Sequence, residues 1–256
     1  MSHQESLVRA HLGVPKAAQA HFKRNFIRQA VCELRFPTLF ELEASKPPSS
    51  FAHALRKEYP NHTLLESVTM GPTTSRSNVH SFKSRQQQWT VNLSASSVVL
   101  ETSRYDSFAE FKSRLAAIVA ATAPIIDCDF FTRVGLRYIN LLPYLRVEIR
   151  EWVNPSLVGP LSEGIYGDVS EHNGRVGGTL PTGAFLMQHG IATGAVGEGS
   201  LAYYSLDFDF SSEDVSLDKT IEMVQELHDQ EFSLFQWALG PKAKAFLGES
   251  DIRERK

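Results

Sequence analysis

Two segments spaced 105 residues apart look alike, and this repetition limits the folds open to the chain more than any other feature. Phe26–Phe36 is predicted as a long strand because its alternate residues are mostly apolar, and Phe131–Leu141 is predicted as a second one. Each is followed by a short helical stretch, several strands and one long amphipathic helix. The sequence therefore predicts an internal duplication, with half-units at residues 22–125 and 126–247.

The local patterns predict the elements within each half-unit. In the first we expect strands at 26–36, 63–70, 79–86, 89–94 and 97–102, a short helix at 51–58 and a long helix from Ser107. In the second we expect strands at 130–142, 166–172, 183–191 and 201–210, a short helical region at 145–158 and the longest helix at 217–239. Ser107 and Glu110 fit a capping box, in which each side chain satisfies an exposed backbone amide of the first helical turn.

These elements indicate an α+β fold class. The duplicated β-α-β(3-4)-α halves are expected to form a curved, mainly antiparallel sheet with the two long helices on one face. The shape is analogous to helix-grip or TATA-binding-protein-like half-units, and an analogy of shape carries no function. The apolar stripes of the long helices predict a largely buried set: Phe108, Phe111, Leu115, Leu217, Ile221, Val224 and Phe235.

The chain ends, the apolar runs and the cysteines predict where the protein is located in the cell. Residues 1–21 are predicted to be a flexible arm and residues 248–256 a charged tail. The sequence has no apolar run of 18 residues and no signal-peptide pattern, so we expect a cytoplasmic protein without a membrane span. Cys32 and Cys128 lie in apolar, strand-like surroundings, which favours reduced thiols over the alternative of a disulfide.

Composition and motifs exclude several function classes. A net charge of −3 and a pI near 6.3 argue against non-specific binding of duplex DNA, which usually needs a basic face. The scattered histidines and two cysteines match no common zinc spacing, so no metal is expected. The glycines between 174 and 199 lack the features of a phosphate-binding or dinucleotide loop, so no cofactor is expected, and no Gly-x-Ser-x-Gly nucleophile motif occurs.

Four segments together resemble a sporadically distributed bacterial family of about 250-residue proteins with no assigned activity. They are Gln29-Ala-Val-Cys-Glu-Leu-Arg-Phe36, Leu100-Glu-Thr-Ser-Arg-Tyr105 with Phe108 and Phe111, Arg133-Val-Gly-Leu-Arg-Tyr-Ile-Asn140, and Leu227-His228 with Phe235. The resemblance spans residues 22–247, and the segment from Arg133 is its most specific part. It implies a prokaryotic cytoplasmic protein, and a patchy distribution suggests mobile gene neighbourhoods such as defence or toxin-linked loci. It supplies no catalytic residue.

Alternating charges on two strands form the first candidate site. Arg133 and Arg137 share one strand face, about 13 Å apart, with Gly135 between them. Asp207 and Asp209 have the same alternate spacing on the last strand. The arginines could bind an extended anion on the open space over the glycine. A structural ladder of cross-strand ion pairs is the favoured interpretation.

His228 completes this candidate ligand site, because it lies at the edge of the apolar stripe of the longest helix. A general base there is one hypothesis, and a hydrogen-bonded boundary residue is the favoured one.

A second candidate site is basic with a nearby aromatic residue. Lys83 and Arg85 alternate on a polar strand close to Arg76, and Trp89 follows. Such a group could contact single-stranded nucleic acid. A solvated edge strand protected by charge is the favoured interpretation.

The leading hypothesis is a non-catalytic binding or regulatory module that acts with a protein partner or with a ligand between the half-units. The alternative is an enzyme or small-molecule sensor that uses the polar sheet face, and the third is single-stranded nucleic-acid binding. We therefore expect a protein partner and regard nucleic acid as the least favoured partner. A small ligand and a homodimer both remain open.

Overall fold

One antiparallel sheet organises the protein. The computed structural model describes residues 11–18, 22–69, 75–144, 146–196 and 199–248. Within these ranges nine strands form a single sheet in the order β2-β3-β4-β5-β1-β6-β9-β8-β7. They are β1 (Ile27–Arg35), β2 (Asn61–Thr69), β3 (Ser75–Lys83), β4 (Trp89–Leu93), β5 (Ser97–Thr102), β6 (Phe130–Pro143), β7 (Asn173–Leu180), β8 (Gly183–Val196) and β9 (Gly199–Ser216).

Six helices accompany the sheet in the described part of the chain. They are α1 (Ser49–Leu55), α2 (Phe108–Thr122), α3 (Ile149–Trp152), α4 (Pro155–Ser162), α5 (Thr220–Ala238) and α6 (Pro241–Leu247). α2 packs on β5 and α5 packs on β6 and β9, and the two helices also contact each other. Aromatic contacts place α1 and α6 on the same side, since Phe51 meets Phe82 and Phe246 stacks on Phe26. No described helix is long and apolar enough to cross a membrane.

The register of the strands separates a covered face from an uncovered face. One row of directly opposed residues crosses seven strands and points at the helices: Phe82, Val91, Leu100, Cys32, Leu136, Phe210 and Phe185. All of these except the partly buried Phe185 are buried. Residues on the next positions point away from the helices, because successive side chains of a strand alternate between faces. The core therefore lies between the sheet and one layer of helices.

The two halves of the chain have corresponding connections. In each half the first strand pairs with the last one, β1 with β5 and β6 with β9. The first strands also pair with each other, so β1 and β6 run antiparallel at the middle of the sheet. The remaining strands of each half continue outward to the edges β2 and β7.

The predicted α+β class and antiparallel sheet are confirmed, and most predicted strands are displaced by only a few residues. The exception is the strand at 166–172. This prediction is wrong, because the strand in this part of the chain is Asn173–Leu180. Gly164 and Gly167 adopt positive φ in the segment before it. The glycines of β7 gave no alternating pattern, and its register is fixed by pairing with β8.

The long helices form as predicted, and their buried set is narrower than expected. Ser107 caps α2 by accepting a hydrogen bond from the Glu110 amide at 3.2 Å. The Glu110 side chain does not complete the capping box, because it pairs with Arg114 instead. Fully buried members of the predicted core are Phe111, Leu115 and Val224, whereas Phe108, Leu217, Ile221 and Phe235 are partly buried.

Part of the predicted N-terminal arm lies against α5. The Ala17 amide donates to Ser233 Oγ at 3.1 Å, and Leu12 and Val14 pack on the edge of the core. Residues 1–10 and 19–21 of the predicted arm, and residues 249–256 of the predicted tail, lie outside the described ranges. Cys32 and Cys128 are free thiols, as expected.

Candidate functional site

The predicted charged residues form a ladder of ion pairs on the uncovered face. This charge ladder consists of Glu33, Arg133, Arg137, Asp207 and Asp209. Arg137 donates two hydrogen bonds to Asp207, from Nε to Oδ1 at 2.8 Å and from Nη2 to Oδ2 at 2.6 Å. Arg133 bridges two strands by donating to Glu33 at 2.8 Å and to Asp209 at 3.0 Å. The ladder interpretation of the sequence is therefore confirmed.

Gly135 makes this arrangement possible. The Arg133 side chain folds along its own strand, and its guanidinium lies over Gly135, where a Cβ atom would overlap it. On β1, Glu33 lies directly opposite Gly135, and Arg35 lies directly opposite Arg133. Arg133 therefore pairs with a carboxylate two residues away from its own cross-strand neighbour. The open space predicted over the glycine is thus filled by Arg133.

Pairing satisfies the charges of the ladder once Arg35 is included, since its Nε lies 3.0 Å from Glu33 Oε2 and adds a third cation to the three carboxylates. The hydrogen bond to Asp207 raises the pKa of Arg137 further above its usual value. Burial raises the pKa of Asp209, although Arg133 and Arg137 both oppose that change. The ladder residues do not line the cavity described below.

His228 lies on the other side of the sheet from the charge ladder. Its Nδ1 is hydrogen-bonded to the Tyr138 hydroxyl at 3.2 Å, and its ring stacks on Phe108 with 3.7 Å between the centroids. Burial lowers the pKa of His228 to about 4, which keeps the ring neutral near pH 7. The predicted grouping of His228 with the ladder residues is therefore wrong, because a strand's opposite faces do not meet.

The candidate nucleic-acid residues do not share a surface. Trp89 is buried on the covered face with the Arg114 guanidinium 4.5 Å above its ring, while Lys83 points to the uncovered face. Arg85 is exposed in the turn after β3, and the side chain of Arg76 is outside the described residues. β3 is also an interior strand, between β2 and β4, rather than the predicted edge.

A cavity of about 400 Å³ lies between the covered face and the two long helices. We call it the Glu231 cavity. β6 and β9 contribute its floor, α2 and α5 its walls, and the segment before β1 closes one side. Residues of both predicted half-units therefore line it. Its volume falls within the range typical of small-molecule sites.

Glu231 is the most unusual residue of this cavity. Its side chain comes from α5, is 1% exposed and lines the cavity. Among the described residues neither carboxyl oxygen has a hydrogen-bond partner of normal geometry. A looser contact with the Tyr138 backbone acts to lower the pKa of Glu231. Burial raises the pKa of Glu231 well above its usual value, and the charge of Asp209 adds to this effect. A buried, unpaired carboxyl group is costly to folding and is therefore an indicator of a functional site.

Aromatic and hydroxyl groups surround this carboxyl. Tyr138 and Asn140 project from β6 into the cavity, and Phe208 projects from β9. The Tyr138 ring meets the Tyr105 ring edge to face at 5.4 Å. Burial raises the pKa of both tyrosines, so their hydroxyls stay protonated over the physiological range.

Hydrogen bonds hold the segments that enclose the cavity. Asn25 donates from Nδ2 to the Tyr105 carbonyl at 2.9 Å, which fixes the loop before α2 to the segment before β1. Lys112 of α2 donates to Gln225 of α5 at 2.9 Å, which ties the two helices together across their contact. The cavity is thus a preformed space between ordered elements.

Sequence patterns missed Glu231, although a signal for it exists. It lies four residues after Leu227 and four before Phe235, within the apolar stripe of the longest helix. An acidic residue at a core position of such a stripe needs a partner or a function. Tyr105, Tyr138 and Asn140 had no comparable signal, since a strand or loop residue of these types is common in any fold.

No group of three or more His, Cys, Asp or Glu residues in the described ranges is placed to hold a metal ion. No protein-family model and no curated protein matches the chain significantly, so the geometry of the cavity carries what can be inferred about function.

Proposed function

We propose that this protein is a non-catalytic binding module whose small-molecule ligand occupies the Glu231 cavity. The single observation that carries the proposal is the buried Glu231 carboxyl, which faces the cavity and has no hydrogen-bond partner of normal geometry among the described residues. A ligand that donates a hydrogen bond to Glu231 would remove the cost of burying it. The space, the apolar walls and the few polar groups match the composition of ligand sites in general.

Binding accounts for the remaining polar groups better than catalysis does. The Tyr138 hydroxyl is already bonded to His228, and the His228 ring is held flat against Phe108. A histidine whose pKa is about 4 is a weak base at pH 7, so it is poorly suited to general base catalysis there. These residues form a rigid wall around the carboxyl instead.

A blocking substitution at the mouth of the cavity tests the proposal. Ala109 of α2 lines the cavity and is exposed, so Ala109→Trp should obstruct the opening at little cost to folding. Ala120 is exposed on the same helix, and a spacing of 11 residues places it on nearly the same helix face three turns later. Ala120→Trp is therefore a matched control outside the cavity.

The assay is mass spectrometry of small molecules released when the natively purified protein is denatured. Wild type and Ala120→Trp should release the same compound, and Ala109→Trp should release at least about tenfold less. Equal release from the three proteins, or no compound above the buffer blank from wild type, contradicts the proposal.

We further propose that the two half-units are related by duplication. The corresponding pairing of first and last strands, and the position of the two long helices on one face, support this proposal. The cavity would then be an interface between half-units, as a ligand site between repeated units often is.

A protein partner in a mobile bacterial defence or toxin-linked system remains our proposal for the biological setting. It rests on the family resemblance of residues 22–247. Affinity purification from the native host should recover a stoichiometric partner, and its amount should differ between wild type and Ala109→Trp if the ligand regulates the contact. Recovery of no partner at native expression contradicts this part.

A further inference from the structure

We propose that the ligand of the Glu231 cavity is an organic ammonium compound, with a protonated amine that pairs with Glu231 and an apolar body that packs on the aromatic walls. This inference rests on the proposed function and specifies the chemical class of the ligand. It follows from two independent features of the cavity, which are the orphan acceptor and the aromatic lining.

The orphan acceptor requires a donor. Both Glu231 oxygens lack a partner of normal geometry in the described structure, and once Glu231 is ionised they accept hydrogen bonds only. An ammonium group supplies several N–H donors and a positive charge at one point. Charge-assisted hydrogen bonds of this kind are roughly twice as strong as neutral ones. A ligand carboxylate would instead favour the protonated form of Glu231, so the two groups would form no ion pair.

The aromatic lining suits a cation with an apolar body. Rings from the loop before α2, from α2, β6, β9 and α5 line the cavity: Tyr105, Phe108, Tyr138, Phe208 and Phe235. The faces of aromatic rings attract ammonium groups, and this attraction is stronger when both are desolvated. The same rings provide the apolar contacts that a purely polar ligand would not use.

The other charges of the lining balance one another, so Glu231 decides which charge of a ligand fits. Asp106 and Asp229 line the cavity together with Glu231. Arg24 and Lys112 line it as well, where Lys112 bonds Gln225 and the Arg24 guanidinium lies 5.0 Å from the Phe246 ring centre. Neither of these contacts directs a positive charge at Glu231.

Pairing with an ammonium group couples binding to proton release. Burial keeps the Glu231 carboxyl protonated above its usual pKa, and the bound cation would favour the ionised form. The proton lost by Glu231 leaves to solvent when the amine binds. Other titratable or charged groups around Glu231 are Cys32 of β1, Tyr105, Tyr138 of β6, Asp207 and Asp209 of β9, and the lining residues Arg24, Asp106, Lys112, His228 and Asp229.

Three test compounds of similar shape separate the ligand classes: 2-phenylethylamine, 2-phenylethanol and 3-phenylpropanoate. Their binding to the ligand-free full chain is measured by titration calorimetry at pH 6, in two buffers with different heats of ionisation. The amine should bind at least about tenfold more tightly than the alcohol, and the carboxylate should bind most weakly. Wild type should release close to one proton per amine bound, as judged from the difference between the buffers.

Glu231→Gln tests the role of the carboxyl, and Glu226→Gln is the control, because Glu226 is exposed on the same helix and does not line the cavity. The preference for the amine and the proton release should both disappear in Glu231→Gln and persist in Glu226→Gln. If Glu231→Gln does not fold, proton release in wild type still decides the question.

The outcomes distinguish this inference from the proposed function. Equal binding of the amine and the alcohol, both blocked by Ala109→Trp, would overturn the ammonium assignment and support the cavity as a ligand site. Release of a natural compound without a basic nitrogen from the wild-type protein would also overturn the ammonium assignment and support the cavity as a ligand site. If all three compounds bind Ala109→Trp as tightly as they bind wild type, both proposals are overturned.

Discussion

Replacing Glu231 by glutamine should change the way stability depends on pH. Glutamine has nearly the same size and stays neutral, so Glu231→Gln preserves packing while removing a titrating group. In the folded protein burial raises the pKa of Glu231 well above the ordinary value of 4.5, which holds in the unfolded chain. The unfolded chain therefore ionises at a pH at which the folded chain still holds its proton.

The sign and size of the effect follow from this difference. Because the folded state binds more protons above pH 4.5, the free energy of unfolding falls as pH rises. The loss is about 1.4 kcal/mol for each pH unit over which only the unfolded chain is ionised. Since the side chain is 1% exposed, water screens little of this effect. Each such unit is a noticeable share of the roughly 5–15 kcal/mol by which a typical domain is stable.

Urea denaturation of the ligand-free protein at pH 5, 6, 7 and 8, followed by tryptophan fluorescence, measures this directly. The stability of Glu231→Gln relative to wild type should rise steadily with pH. Glu226→Gln should stay within about 0.5 kcal/mol of wild type at every pH. A difference between wild type and Glu231→Gln that does not change with pH would show that Glu231 is already ionised in the folded state.

Three further measurements test other parts of the structure. Gly135→Ala should weaken the coupling between Arg133 and Glu33, because the new Cβ displaces the flexible end of the Arg133 side chain, while stability should change by less than about 1 kcal/mol. An NMR titration of His228 should show a midpoint near pH 4, and its contribution to stability should decrease as pH falls from 6.5 towards 4, because the unfolded chain takes up the proton first. Phe111→Ala should cost about 3–5 kcal/mol, because its ring is fully buried between α2 and the sheet.

Each of these has a clear contrary result. Gly177→Ala is the control for Gly135→Ala, since its position on β7 leaves ordinary room for a Cβ and the change should be neutral or stabilising. A coupling energy between Arg133 and Glu33 that is the same in wild type and in Gly135→Ala, from double-mutant cycles, would contradict the position of Arg133. A His228 midpoint at its usual 6.5 would show that the ring is solvated. Phe111→Ala with the stability of wild type would contradict the predicted core.

Much of the fold could be predicted from local patterns. Strands reveal their buried face by alternation, and the pairing of Arg137 with Asp207 followed from equal spacing on two strands. α2 and α5 were visible because an apolar stripe with a spacing of three to four residues is typical of a helix that packs on a core. These features depend on side chains close together in the sequence, which is where pattern analysis is strongest.

The candidate site could not be predicted in the same way. It depends on Glu231 of α5, Tyr138 of β6 and Tyr105 of the loop before α2, which lie far apart in the sequence and meet only through the sheet register. A count of apolar positions along α5 identifies the helix but gives no weight to a single acidic residue among them. The strand β7 was missed for a related reason, since its glycines carry no side chains that show which face is buried.

The position of Arg133 over Gly135 has an evolutionary consequence. Four positions on three strands, 33, 133, 135 and 209, depend on one another, because one guanidinium joins two carboxylates across the space left by a missing side chain. A larger residue at 135 displaces the end of the Arg133 side chain, and a displaced or shorter residue there leaves 33 and 209 without their shared cation. Descendants of this sequence should therefore keep these four residues together or replace them together.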